Sequence, residues 1–127
     1  MAKFKIQPDP TFTGVVDIPR VGGAIVQVEV TFKYLDRAQL AQLFSKWEAT
    51  MKAINDRYLA GETDLQGYSA EVMAAQSEQI KEIVVGWDFD DEFSDENIKA
   101  LVRTSVAAPG AVIQHYQEAF QKAKVGN

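Results

Sequence analysis

The sequence contains no cysteine, which excludes disulfides, thiolate nucleophiles and zinc–thiolate sites. Histidine occurs once, at His115, so no two-histidine metal motif and no acid–base histidine pair can be built. Lysine and arginine are outnumbered by aspartate and glutamate, 13 to 18, for a net charge of -5. That balance argues against a nucleic-acid partner, since phosphate neutralisation needs clustered cations. No apolar run approaches the roughly 20 residues of a membrane span. Residues 1–6 lack the apolar core of a signal peptide. The expectation is one cytoplasmic domain over residues 1–127, with no membrane and no cofactor.

What is present reads as an α+β chain, mostly α, with an N-terminal β-hairpin followed by about four helices. Pro8 and Pro10 keep the opening extended. Phe12, Gly14, Val16 and Ile18 then alternate with Thr13, Val15 and Asp17, and Val26, Val28, Val30, Phe32 and Tyr34 repeat the period of two. Pro19 and Gly22-Gly23 supply the turn between them. Residues 1–34 are thus an extended segment and a hairpin whose apolar face must cover something.

Residues 35–127 read as helical. Asp36 and Gln39 make a capping box. Leu40, Leu43, Phe44, Trp47, Met51, Ile54 and Tyr58 recur on one helical face, with Glu48 and Lys52 as an outer i,i+4 pair, and Gly61 ends the run. A second helix starts at Asp64 or Ser69 and carries Leu65, Tyr68, Val72, Ile80 and Ile83, with Ala74-Ala75 allowing close approach of another helix. Ser94 caps a third helix, with Ile98, Leu101 and Val102 on its apolar face, and Asp95 and Glu96 complement its positive end. Pro109 opens a fourth, whose stripe is Val112, Ile113, Tyr116 and Phe120.

The stretch that stands apart runs from Ile83 to Ser94. It begins as an apolar run, breaks at Gly86, and then sets Trp87, Phe89 and Phe93 among carboxylates. Of the nine residues 88–96, six are acidic. A solvated acidic loop needs no large rings, and a core segment does not hold so many carboxylates. The expected compromise is a loop pinned to the core by its rings, with its acids facing water or a partner. Trp87, Asp88, Phe89, Asp90, Asp91, Glu92 and Phe93 are the candidate partner-binding residues, Trp87 and Phe89 being the candidate exposed anchors. Each ring taken alone reads more simply as folded inward.

Chemistry finds no comparable footing. A calcium loop starting at Asp88 would put Phe93 where glycine is required and Lys99 where a bidentate glutamate is required. No carboxylate pair is singled out as acid and base, the serines lack a nucleophile-elbow setting, and Gly22-Gly23 is not followed by the residues of a phosphate loop. His115, beside Tyr116, reads as a boundary side chain. The expectation is a protein without catalytic, metal or cofactor residues.

Three stretches together resemble the tail assembly chaperones of long, non-contractile-tailed bacteriophages and related prophages. They are residues 2–12 with Val16-Asp17-Ile18-Pro19; residues 83–89 leading into Phe93-Ser94-Asp95-Glu96-Asn97-Ile98; and Pro109-Gly110-Ala111 with Ile113, Tyr116 and the ending Gly126-Asn127. Residues 105–108 depart from the pattern, which has an aromatic directly before the proline. The resemblance implies a non-catalytic protein, the short form or its N-terminal domain, that binds the tape measure protein and keeps it soluble. Tail tube protein then polymerises around that complex, recruited through a longer frameshift product. It also implies self-association, residence in the host cytoplasm and absence from the mature virion. The alternative is a small structural or adaptor protein retained in the phage tail.

Overall fold

A computed structural model describes residues 3–126; Met1, Ala2 and Asn127, the latter two part of the resemblance, lie outside the described residues. The elements run β1 (Thr11–Pro19), β2 (Ile25–Lys33), α1 (Arg37–Leu59), α2 (Leu65–Ile83), β3 (Val84–Trp87), α3 (Asp95–Thr104) and α4 (Ala108–Val125). The hairpin and four helices match the sequence reading. The third strand does not: it turns the hairpin into an antiparallel sheet of order β1-β2-β3.

β1 and β2 pair in unbroken register from Thr11↔Lys33 to Pro19↔Ile25, around a turn in which Gly22 and Gly23 both take positive φ. Their even-numbered side chains Val16, Ile18, Val28, Val30 and Phe32 are buried, and the opposite face is exposed apart from half-buried Thr31 and Lys33. The apolar face lies on Ile80 and Ile83 of α2, Ile98 and Val102 of α3, and Val112 and Tyr116 of α4. Packing this face on three helices supplies the apolar burial that an isolated hairpin lacks.

α2 ends without a glycine. Its C-cap, Val84, is already extended at φ -110° and ψ 138°, so helix passes directly into strand. β3 then pairs with β2 through Val30↔Trp87, Thr31↔Gly86 and Phe32↔Val84, with Val85 bulged out.

The helix starts are those the sequence marks. Asp36 and Gln39 exchange both capping-box bonds, at 2.8 and 2.9 Å. Asp64 rather than Ser69 caps α2, accepting from Gly67 N–H at 2.8 Å. Along α1, Lys52 pairs with Asp56 at 2.7 Å, not with Glu48. Both partners sit at the same helical spacing, so sequence alone cannot choose between them. Trp47 is buried, and its Nε1 donates to Glu82 of α2 at 3.0 Å. Ala74 and Ala75 line a groove with Ala53 and Ile54 of α1, while Leu65 is exposed. Farther out, an Arg57–Glu71 ion pair and stacked Tyr58 and Tyr68 rings join the two helices.

Under the sheet, Ala108 and Pro109 are buried despite the unusual approach to α4, and the Ser105 hydroxyl accepts from Ala108 N–H at 3.2 Å. Tyr116 is fully buried and its hydroxyl donates to the Lys33 carbonyl at 2.9 Å. Burial pushes its pKa up to about 12. His115 lies parallel to the Phe32 ring, centroids 5.6 Å apart, under Gly14 of β1. A Cβ at position 14 would come within 2.2 Å of the imidazole Nε2, so this close approach requires glycine.

Candidate functional site

The acidic-aromatic stretch grows out of β3. The ladder bonds of Pro10 with Tyr34 and Arg20 with Ala24 place the even residues of β2 toward β1. The odd residues therefore bond outward. Glu29 is one of them: it accepts from Asp88 N–H at 3.0 Å, and its own N–H donates to the Asp88 carboxylate at 2.7 Å. Asp88 thus extends the ladder one residue past β3 with its side chain standing in for a backbone carbonyl.

Trp87 organises the loop beyond β3. Its ring meets Phe89 and Phe93 edge-on, with centroids 5.2 and 5.0 Å away, and its Nε1 donates to the Asp91 carbonyl at 2.8 Å. Such edge-to-face pairs add to area burial. All three rings are half-buried and pack on the main core. The loop then enters α3 through Asn97, whose Nδ2 donates to the Glu92 carbonyl at 2.8 Å, and Ser94, whose hydroxyl accepts from Asn97 N–H at 3.2 Å.

The acids divide by role. Asp88 is held in the ladder, and Asp95 and Glu96 occupy the first turn of α3. Lys81 approaches Asp95 and Glu78, each at 3.4 Å, and hydrogen bonding to Asp95 first and Glu78 second raises its pKa. Asp90, Asp91 and Glu92 are exposed, and among the described residues their carboxylates make no hydrogen bond or ion pair.

The candidate residues are therefore brought together, in two layers: rings turned partly inward and three free carboxylates outside. Between this loop and α3 runs a groove lined by Arg20, Trp87, Phe89, Asp91, Leu101 and Thr104. Arg20, Leu101 and Thr104 lie outside the candidate residues that the sequence marks. They arrive because β3 runs antiparallel to β2 toward the β1–β2 turn, so the turn, the loop and the C-terminal part of α3 meet at the same end of the sheet, and no local signal in the sequence marks that.

A family model described as phage tail assembly chaperone matches residues 1–127. The chain belongs to the phage tail assembly chaperone family. Comparison with curated proteins and with solved structures finds no match. Membership places the chain in the assembly of phage tails, and it agrees with the resemblance carried by the stretches around Pro10, Trp87 and Pro109. Among the described residues no helix is long and apolar enough to cross a membrane.

Proposed function

We propose that this chain is a non-catalytic holding partner of the phage tape measure protein. It keeps that long, apolar-faced chain soluble in the host cytoplasm while tail tube subunits assemble around it. Family membership across residues 1–127 is the observation that carries the reading. In the proposed contact, Asp90, Asp91 and Glu92 supply charge complementarity and keep the complex soluble. The exposed edges of Phe89 and Leu101 in the adjoining groove supply apolar grip. Self-association, and a longer product that recruits tube protein, belong to the same proposal.

The test is co-expression with the tape measure protein of the same phage, followed by affinity capture and sizing. The expected result is a tape measure protein that is insoluble alone and soluble in complex. Reversing the three free acids (Asp90→Lys, Asp91→Lys, Glu92→Lys) is expected to abolish capture while leaving the fold intact. Asp88 is spared because its carboxylate belongs to the ladder. Capture by the triple variant at the wild-type level would remove the loop from the interface. A tape measure protein that stays insoluble, with this chain present in purified tails, would replace the holding role by a structural one.

A further inference from the structure

The two edges of the sheet are not alike. The β3 edge is four residues long, bulged at Val85, and continues into the acidic loop. Those are the devices that discourage strand addition. β1 forms the other edge with nine residues, unbroken register and no charge before Asp17. Its even residues bond to β2, so Thr11, Thr13, Val15 and Asp17 direct N–H and C=O outward. Among the described residues, no side chain donates to or accepts from the backbone of these four.

We propose that the β1 edge pairs antiparallel with the β1 edge of a second copy, about a two-fold axis through Val15. The strand itself selects this occupant. Val15 is the middle residue of Thr11–Pro19, so centring there gives the longest overlap. Val15 is also one of the residues whose backbone bonds outward, so full overlap and correct bonding coincide, for about eight new backbone bonds. Across the axis Val15, 54% exposed, meets Val15, and Thr13 meets Asp17, so no two like charges oppose. Pro19, which has no N–H, falls only in the terminal pair, opposite Thr11.

A separate observation fits the same geometry. The four most exposed large apolar side chains among the described residues are Phe4, Ile6, Val21 and Val106, each more than nine-tenths exposed. Phe4 and Ile6 lie on the arm before β1. Val21 and Val106 line one groove beyond its other end, with Pro19 and Ala107. Within one copy the two pairs sit at opposite ends of β1. Antiparallel pairing sets Thr11 of each copy beside Pro19 of the other, so each arm leads to its partner's groove. From Thr11 to Ile6 the arm spans up to about 16 Å, enough to reach past the turn. One two-fold contact thus covers four side chains that a single copy leaves in water.

The β1 contact is the interface for the self-association within the proposed function and rests on that reading. It is tested on the protein alone, so its failure leaves the holding role standing. Sedimentation of the wild type across a wide concentration range is expected to show a dimer. Val15→Lys places two cations on the axis at an exposed position. It is expected to weaken association at least about tenfold, with unchanged circular dichroism. Phe4→Ser with Ile6→Ser weakens it by a smaller factor. Because the chain has no cysteine, Val15→Cys adds a lone thiol that is expected to oxidise to a disulfide-linked dimer, the Cα separation of a bonded antiparallel pair being about 5.5 Å. Gln27→Cys, also exposed but on β2, is expected to stay unlinked. A monomeric wild type, a Val15→Lys variant that assembles like wild type, or equal cross-linking of the two cysteine variants would each overturn the proposal.

Discussion

Replacing Trp87 by alanine separates the two roles its ring could play. In the structure the ring is a half-buried strut touching Phe89 and Phe93, with its Nε1 on the Asp91 carbonyl. Full truncation of a buried tryptophan costs about 3–5 kcal/mol. Half-burial scales that to about 2 kcal/mol, and the lost hydrogen bond adds about 1 kcal/mol. The expected destabilisation of Trp87→Ala is therefore about 3 kcal/mol, a large share of the stability of a domain this size. Trp87→Phe keeps most of the packing and loses the bond, for about 1 kcal/mol. Urea unfolding followed by far-ultraviolet circular dichroism measures both, with an unchanged slope showing that the same surface unfolds. If Trp87→Ala costs less than about 0.5 kcal/mol, the packing argument is wrong. Loss of partner binding in that case would mark the ring as an anchor instead of a strut.

Two further predictions rest on the α4 side of the sheet. Gly14→Ala drives a methyl into His115, which is backed by Phe32. It is expected to cost about 1–3 kcal/mol by overpacking. In Gly14→Ala with His115→Ala most of that cost disappears, a non-additivity that a double-mutant cycle reads directly. Tyr116, with its pKa raised to about 12 by burial, keeps its proton in the folded chain while the unfolded chain releases its own near 10. The stability it contributes is thus complete below about pH 10 and is lost on rising toward about pH 12. A Tyr116→Phe variant, weaker at neutral pH by about 1 kcal/mol for the Lys33 bond, is expected to lack that alkaline decline when melts are compared across the range.

Much of the fold is legible because its signals are local. Asp36, Asp64 and Ser94 are N-caps whose side chains act on N–H groups three residues away, so sequence spacing states the contact. The hairpin shows a period of two over nine residues per strand, long enough to read. β3 is four residues long and bulged, too short for any period to appear, and it abuts a helix of similar apolarity. It is recruited by the outward bonding of Thr31 and Glu29 on β2, a parity set by the register with β1 and invisible in residues 83–87 themselves. The contact of Gly14 with His115 joins positions far apart in sequence and arises only once α4 lies under β1.

The candidate site divides along the same line. That large rings among carboxylates must fold partly inward is dictated by the composition of the stretch, and the mutual packing of Trp87, Phe89 and Phe93 satisfies it. Which acids remain free is not, because it depends on the β2 parity that claims Asp88 and on the helix start that uses Asp95 and Glu96.

The asymmetry of the sheet edges ties this division to assembly. Strand pairing through β1 uses the open edge of both copies at once, and an isologous contact of that kind closes after two. Growth from the far edges would have to proceed through β3, where the ladder is short, bulged and finished by the Asp88 carboxylate on Glu29. The paired molecule is then a six-stranded sheet with Asp90, Asp91 and Glu92 near each end. The strand that protects the edge against further copies is the one that delivers the free carboxylates, so a charged surface stays open to a different partner.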